Sequence, residues 1–173
     1  MQLKLNEKNK NGSHREAPFS HLIQGFSPVI FLIVWILDSF IFRVSTFLNA
    51  FVPLLIRITI FIACLSIALI IIYVSHNLLF KEHGPSEELI TRGILRFIRH
   101  PLYFGILLLY LSFVFLSISL ISLALFILIS IIYNWMVNVE EKILENLFGK
   151  EYIDYKKQVP KWIPNPFKIH PRS

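Results

Sequence analysis

Arg99-His100-Pro101-Leu102-Tyr103-Phe104-Gly105 stands at the mouth of a long apolar run. Polar side chains so close to hydrocarbon are expensive unless something pairs with them. From Leu102 to Val139 no residue carries a formal charge, and the run closes on a second polar cluster, Asn138, Glu140 and Glu141. As one helix this run would exceed ~50 Å at ~1.5 Å per residue, against a hydrocarbon core of ~30 Å. Two antiparallel helices over about 104–138 solve the mismatch, turning near Ser117-Ile118-Ser119. Such a hairpin returns the chain to its starting face and makes His100 a neighbour of Glu140.

The rest of the chain fits a membrane around that hairpin. Of 173 residues, 55% are hydrophobic and 16% charged, and the mean hydropathy is +0.62. That is too apolar for an ordinary soluble domain. Between Val44 and Leu79 the only charge is Arg57. The expected fold class is therefore all-α, an integral membrane helical bundle of about four transmembrane helices. The spans fall at about 26–42, 53–75, 102–117 and 120–139, within a domain over 22–173. Residues 1–21 read as a mobile polar tail without a cleavage signature, so the first span is an anchor. Ser27-Pro28 suits a first helical turn. Asp38 lies near the far end of that span, where pairing with Arg57 or facing interfacial water outweighs a role in chemistry.

Charge sets the orientation. The net charge of +6 comes from cations before the first span, between Lys81 and Arg99, and after Lys142. The connector near Arg43 is nearly bare of them. The positive-inside bias thus puts both termini and the middle segment in the cytosol. Nucleic-acid binding is excluded as the reason for these cations, because they flank greasy runs. Cys64 is alone, so neither a disulfide framework nor a metal-thiolate site is expected, and no metal site of any kind is predicted.

The middle segment turns at Gly84-Pro85-Ser86 and leads through Glu87-Glu88-Leu89-Ile90 to a short amphipathic helix, Ile94 to Ile98. Arg92, Arg96 and Arg99 suit anionic headgroups there. Past span two, His76 and Asn77 either satisfy helix-end carbonyls or line a pocket. After Glu141 the last helix continues amphipathically through Ile143, Leu144 and Leu147 to Gly149, then a basic, Pro-rich tail.

In order along the chain stand Thr91-x-Gly93, Arg99-His100-Pro101-x-Tyr103-x-Gly105, and Glu140-Glu141-x-x-Leu144-x-x-x-Phe148-Gly149-x-Glu151-Tyr152-x-x-Tyr155. Val159-Pro160 and Ile163-Pro164 follow. This set resembles the isoprenylcysteine carboxyl methyltransferases and their relatives, the phospholipid methyltransferases, over roughly Glu87 to Pro164. The resemblance implies a membrane methyltransferase that uses S-adenosylmethionine (SAM) in a cytosolic pocket covered by the C-terminal extension. Carried over residue by residue, it assigns cofactor contacts to Leu89, Ile90, His100, Pro101, Leu102, Tyr103 and Glu140, with Glu141 beside it.

The chemistry of those residues suits that cofactor. Glu140 or Glu141 accepts from an ammonium or ribose hydroxyls through charge-assisted bonds. His100 and Arg99, the expected catalytic pair, offer donors to a carboxylate. Tyr103 offers a ring to the adenine or the sulfonium. The implied partners are the bilayer and a lipophilic or lipidated acceptor. Two positions depart from the pattern: Leu95 replaces an aromatic, and Met136 replaces an arginine that prenylcysteine enzymes direct at substrate. The alternatives are a phospholipid amine N-methyltransferase and, from another class, a non-catalytic membrane scaffold or transporter subunit, with Arg57 and Asp38 marking a pathway.

Overall fold

The computed structural model describes residues 20–81 and 89–163. Readings for the tail through residue 19, the Gly84–Ser86 turn, Glu87, Glu88 and Pro164 lie outside them. Among the described residues all regular structure is helical. Helix α1 covers Ser20–Ile36 and continues as π-helix Leu37–Phe42; α2 covers Leu54–His76, followed by π-helix Asn77–Lys81. Then come α3, Pro101–Ser117, α4, Leu120–Phe148, and α5, Lys150–Gln158. Ser20–Phe42, Leu54–Leu79 and Leu120–Phe148 are long and apolar enough to cross a membrane, and α3 is a shorter apolar helix. The chain is a helical membrane protein.

Helix α1 starts at Ser20, upstream of Phe26, so Pro28 sits inside the helix rather than in its first turn. An interior proline removes a backbone donor, which membrane helices tolerate where neighbours hold the segment in place. The Ser27 hydroxyl does so here, lying 3.0 Å from both Tyr110 and Tyr133 hydroxyls.

Two compact units divide the chain. One is built on Phe19–Ile71 and Tyr103–Asn134. Its interior carries Phe31 against Tyr110, ring centroids 4.8 Å apart and planes tilted by 40°, and Tyr103 meets Tyr133 edge-on at 5.6 Å. The Trp35 indole donates to the Phe113 carbonyl and the Ser117 hydroxyl, both at 3.0 Å. Arg57 donates to the Leu116 carbonyl at 3.0 Å and to Asn49 at 2.6 Å. Side chains from α1 and α2 thereby bond carbonyls near the end of α3, and that of Leu116 is among those a helix end leaves without intrahelical partners.

The turn between α3 and α4 is built the same way. Ile118 takes a left-handed conformation (φ 43) where glycine would be usual. Ser119 is the N-cap of α4, its hydroxyl accepting from Ser122 N at 2.9 Å. Ser45, from the α1–α2 connector, serves the next donors: its carbonyl takes Leu120 N at 3.3 Å and its hydroxyl takes Ile121 N at 3.0 Å. Asp38 stands behind them, accepting from Ser45 N and from the Ser45 and Ser119 hydroxyls. An anion at a helix N-terminus is favourable. Asp38 is thus held by the Ser45 and Ser119 hydroxyls rather than by Arg57, and it is buried, 4% exposed.

The described residues of the other unit fall within Ile72–Leu102 and Trp135–Ser173. Its core joins Tyr152, Tyr155 and Val159 to Leu89, Leu144 and Phe148. Two glycines shape it through positive φ, Gly93 (φ 62) and Gly149 (φ 55). Gly149 breaks α4 from α5. At Gly93 a Cβ would also come within 3.1 Å of the Leu78 side chain. In place of the amphipathic helix expected over 94–98 there is one turn of 3-10 helix, Gly93–Arg96. Its Leu95 carbonyl accepts from the Tyr155 hydroxyl at 2.7 Å, which fastens it to α5.

Candidate active site

Residue 101 begins α3, and proline at that first position loses nothing, since its N–H would be unpaired anyway. The two residues before it are therefore held at a helix entry. Arg99 is further fixed by its own N–H, which donates to the Pro160 carbonyl at 3.0 Å. Its side chain turns inward, with Nη1 3.0 Å from Glu141 Oε1. His100 Nε2 donates to the same oxygen at 3.3 Å. The hairpin has brought the two polar clusters together, forty-one positions apart in sequence.

Glu141 is the hub. Its second oxygen takes the Lys156 ammonium at 3.1 Å, and Lys156 also reaches Glu145 at 2.7 Å. Three cationic or donor groups from two segments converge on one carboxylate, itself 5% exposed. Such a buried ion pair is held by geometry, because desolvation offsets much of its attraction. The Tyr152 hydroxyl approaches the Arg99 guanidinium, yet neither it nor Arg99 Nε completes an aligned hydrogen bond, and both are buried. Those are donors left over once Glu141 is saturated.

Burial pushes the His100 imidazole below its ordinary range, and the pull of Glu141 only partly opposes this. His100 is therefore neutral near pH 7. Burial likewise lowers Lys161, which donates to Asn138 at 2.6 Å. Lys156 is raised, chiefly by its bond to Glu145.

The sequence-predicted residues divide plainly. Arg99, His100 and Glu141 are in direct contact, and Glu140 lies beside them, buried. Pro101 is fully buried and Leu102 half-buried at the start of α3. Leu89 packs on the Tyr152–Tyr155–Val159 core, and Ile90 beside it is half-buried. Tyr103 belongs to the other unit, where its hydroxyl accepts from Gln24 Nε2 at 3.1 Å. His76, the last residue of α2, is exposed.

Sequence reasoning missed Lys156 and Trp162, whose ring centroid is 6.4 Å from that of His100. The signal for Trp162 was its place between Val159-Pro160 and Ile163-Pro164, the pattern that closes the motif set. Nothing local distinguished Lys156 from its neighbour Lys157, which pairs with Asp154 at the surface.

A stretch of 89 residues is 35% identical to the Protein-S-isoprenylcysteine O-methyltransferase of Schizosaccharomyces pombe, covering 51% of this chain. The match spans 38% of that relative's own length. The family model described as phospholipid methyltransferase matches residues 50–151, which take in α2, α3, α4 and both polar clusters. With more than half of its length matched, the chain belongs to the phospholipid methyltransferase family.

Proposed function

We propose that this protein transfers a methyl group from SAM to a lipophilic acceptor in the bilayer, with both termini and the site on the cytosolic side. The observation that carries the reading is the buried Arg99–His100–Glu141 cluster at the entry of α3. Family membership and the isoprenylcysteine O-methyltransferase relative support the reaction class.

The residues present fit the cofactor. Arg99 Nε and the Tyr152 hydroxyl are buried donors without aligned partners, which suits the methionyl carboxylate. Glu140, adjacent and acidic, suits the ammonium or the ribose hydroxyls. When bound, SAM would supply an activated methyl group on its sulfonium. Glu141 holds Arg99 and His100 in place rather than serving as a free ligand, since both its oxygens are occupied. Methyl transfer by displacement asks mainly for alignment and exclusion of water. The low exposure of the Arg99 and His100 side chains, with the Trp162 ring near His100, supports that exclusion.

A phospholipid amine is the second reading for the acceptor, and Met136 favours it. Where prenylcysteine enzymes carry a substrate arginine, this chain buries a methionine completely. An amine must lose a proton before it attacks, and His100, neutral at pH 7, is the group proposed to receive it.

Calorimetric titration of the detergent-solubilised protein with S-adenosylhomocysteine tests the site. Saturable binding is expected, at least ~10-fold weaker per folded molecule in Arg99→Gln and Glu140→Gln, a loss of ~1.4 kcal/mol or more. Absent binding in the wild type, or undiminished binding in both variants, rejects the site. Incubation with methyl-labelled SAM and a lipid extract then identifies the acceptor by the labelled product.

A further inference from the structure

The connector between α1 and α2 has its polarity turned inside out. Asp38, Ser45 and Thr46 are at most 8% exposed. Asn49 is tied to Arg57. In contrast, Phe42, Val44, Phe47, Phe51 and Leu55 are between 61% and 79% exposed. A loop crossing water shows the reverse arrangement, and a contiguous apolar surface of this kind marks an interaction site.

We infer that the connector from Phe40 to Leu55 is embedded at the headgroup–acyl boundary of the bilayer, with lipid as its partner. Three observations select lipid. The surface is continuous in sequence with two spans, Ser20–Phe42 and Leu54–Leu79. The only charged residue from Phe40 to Leu55 is Arg43, which is exposed and suits a lipid phosphate. The irregular backbone is internally bonded where it turns: Ser45 N to Asp38, Asn49 N to the Thr46 carbonyl at 3.0 Å, Phe51 N to the Leu48 carbonyl at 3.1 Å. Backbone that meets so little water must be satisfied this way. Exposed phenylalanines flanking a single arginine are the composition of an interfacial anchor.

The experiment uses the sole cysteine of the chain, Cys64. On a Cys64→Ser background, Phe51→Cys and the milder Ala50→Cys are each spin-labelled in the full-length protein reconstituted into phosphatidylcholine vesicles. Collision of the label with oxygen is expected to exceed collision with a water-soluble nickel chelate severalfold. A membrane-impermeant maleimide should label neither cysteine from either side of the vesicle. Preferential collision with the nickel chelate, or ready maleimide labelling, overturns the inference in favour of an aqueous loop. Low collision with both reagents, together with disulfide cross-linking of one copy to another, overturns it in favour of a second copy of this chain. Ala50→Cys keeps the test intact if loss of Phe51 disturbs folding.

Discussion

Arg99 and Lys156 approach opposite oxygens of Glu141, at 3.0 Å and 3.1 Å, yet the two contacts differ in their surroundings. The Arg99 side chain is 9% exposed and the Lys156 side chain 39%. Removing one partner of a buried pair strands the other charge, at about 3–5 kcal/mol, whereas a solvated pair is worth about 0–1 kcal/mol. Arg99→Met should therefore lower stability by about 3–5 kcal/mol and Lys156→Met by about 1 kcal/mol or less. The double variant Arg99→Met/Glu141→Gln should be less damaging than the sum of the single changes. Thermal unfolding in detergent of the wild type, Arg99→Met, Lys156→Met, Glu141→Gln and the double variant measures these losses. Equal losses from Arg99→Met and Lys156→Met would contradict the ranking by burial.

His100 gives the protein a pH dependence with a defined sign. Its folded-state value lies below the ordinary imidazole value, which is near 6.5. As pH falls through about 6.5, the unfolded chain takes up a proton that the folded chain refuses. Stability should thus decline from about pH 6.5 downward, and be insensitive to this group above it. His100→Asn should flatten that part of the profile. Melting temperatures measured between pH 5 and pH 8 on both proteins check this, and parallel profiles would refute it.

Gly149 adopts φ 55, ψ −126, a conformation that residues with a Cβ avoid at about 1–3 kcal/mol. No atom lies within 4 Å of where its Cβ would be, so Gly149→Ala should destabilise through the backbone alone. Gly93→Ala should cost more, because Leu78 must also move. Urea titration of the two variants compares them. A neutral Gly149→Ala would show that the α4–α5 break is not held at that dihedral.

Asp38 predicts a loss confined to the hairpin turn. Asp38→Ala removes the acceptor for Ser45 N and two hydroxyls, and hydrogen bonds to a charged group contribute about 1.5–3 kcal/mol each. Stability should fall by more than about 3 kcal/mol, while Asp38→Asn, which keeps one acceptor oxygen, should lose less. Binding of S-adenosylhomocysteine per folded molecule should be unchanged in Asp38→Asn. A large affinity loss in a stably folded Asp38→Asn would show that the carboxylate acts on the site.

Much of the fold was legible because membranes impose arithmetic. An uncharged run too long for one crossing and bounded by polar clusters has to double back, and the contact between His100 and Glu141 follows from that. The turn was less legible, since Ile118 and not a glycine takes the left-handed conformation. Its support comes from Ser45 and Asp38, distant in sequence, and no local pattern announces them. Nor did spacing choose between Glu140 and Glu141, because a step of one residue swings a side chain about 100° around a helix.

By itself the sequence determined that the chain is helical and membrane-embedded, that residues 102–139 fold back on themselves, and which residue types meet where that run begins and ends. Hydrocarbon thickness and the cost of unpaired charge act on composition and length alone. Only the tertiary structure decided that Glu141 is the saturated hub, that Arg99 turns inward while Arg92 and Arg96 stay exposed, and that Asp38 is held by hydroxyls instead of Arg57. Those outcomes depend on which side chains from distant segments reach one another at hydrogen-bond distance, and that is a property of packing in three dimensions.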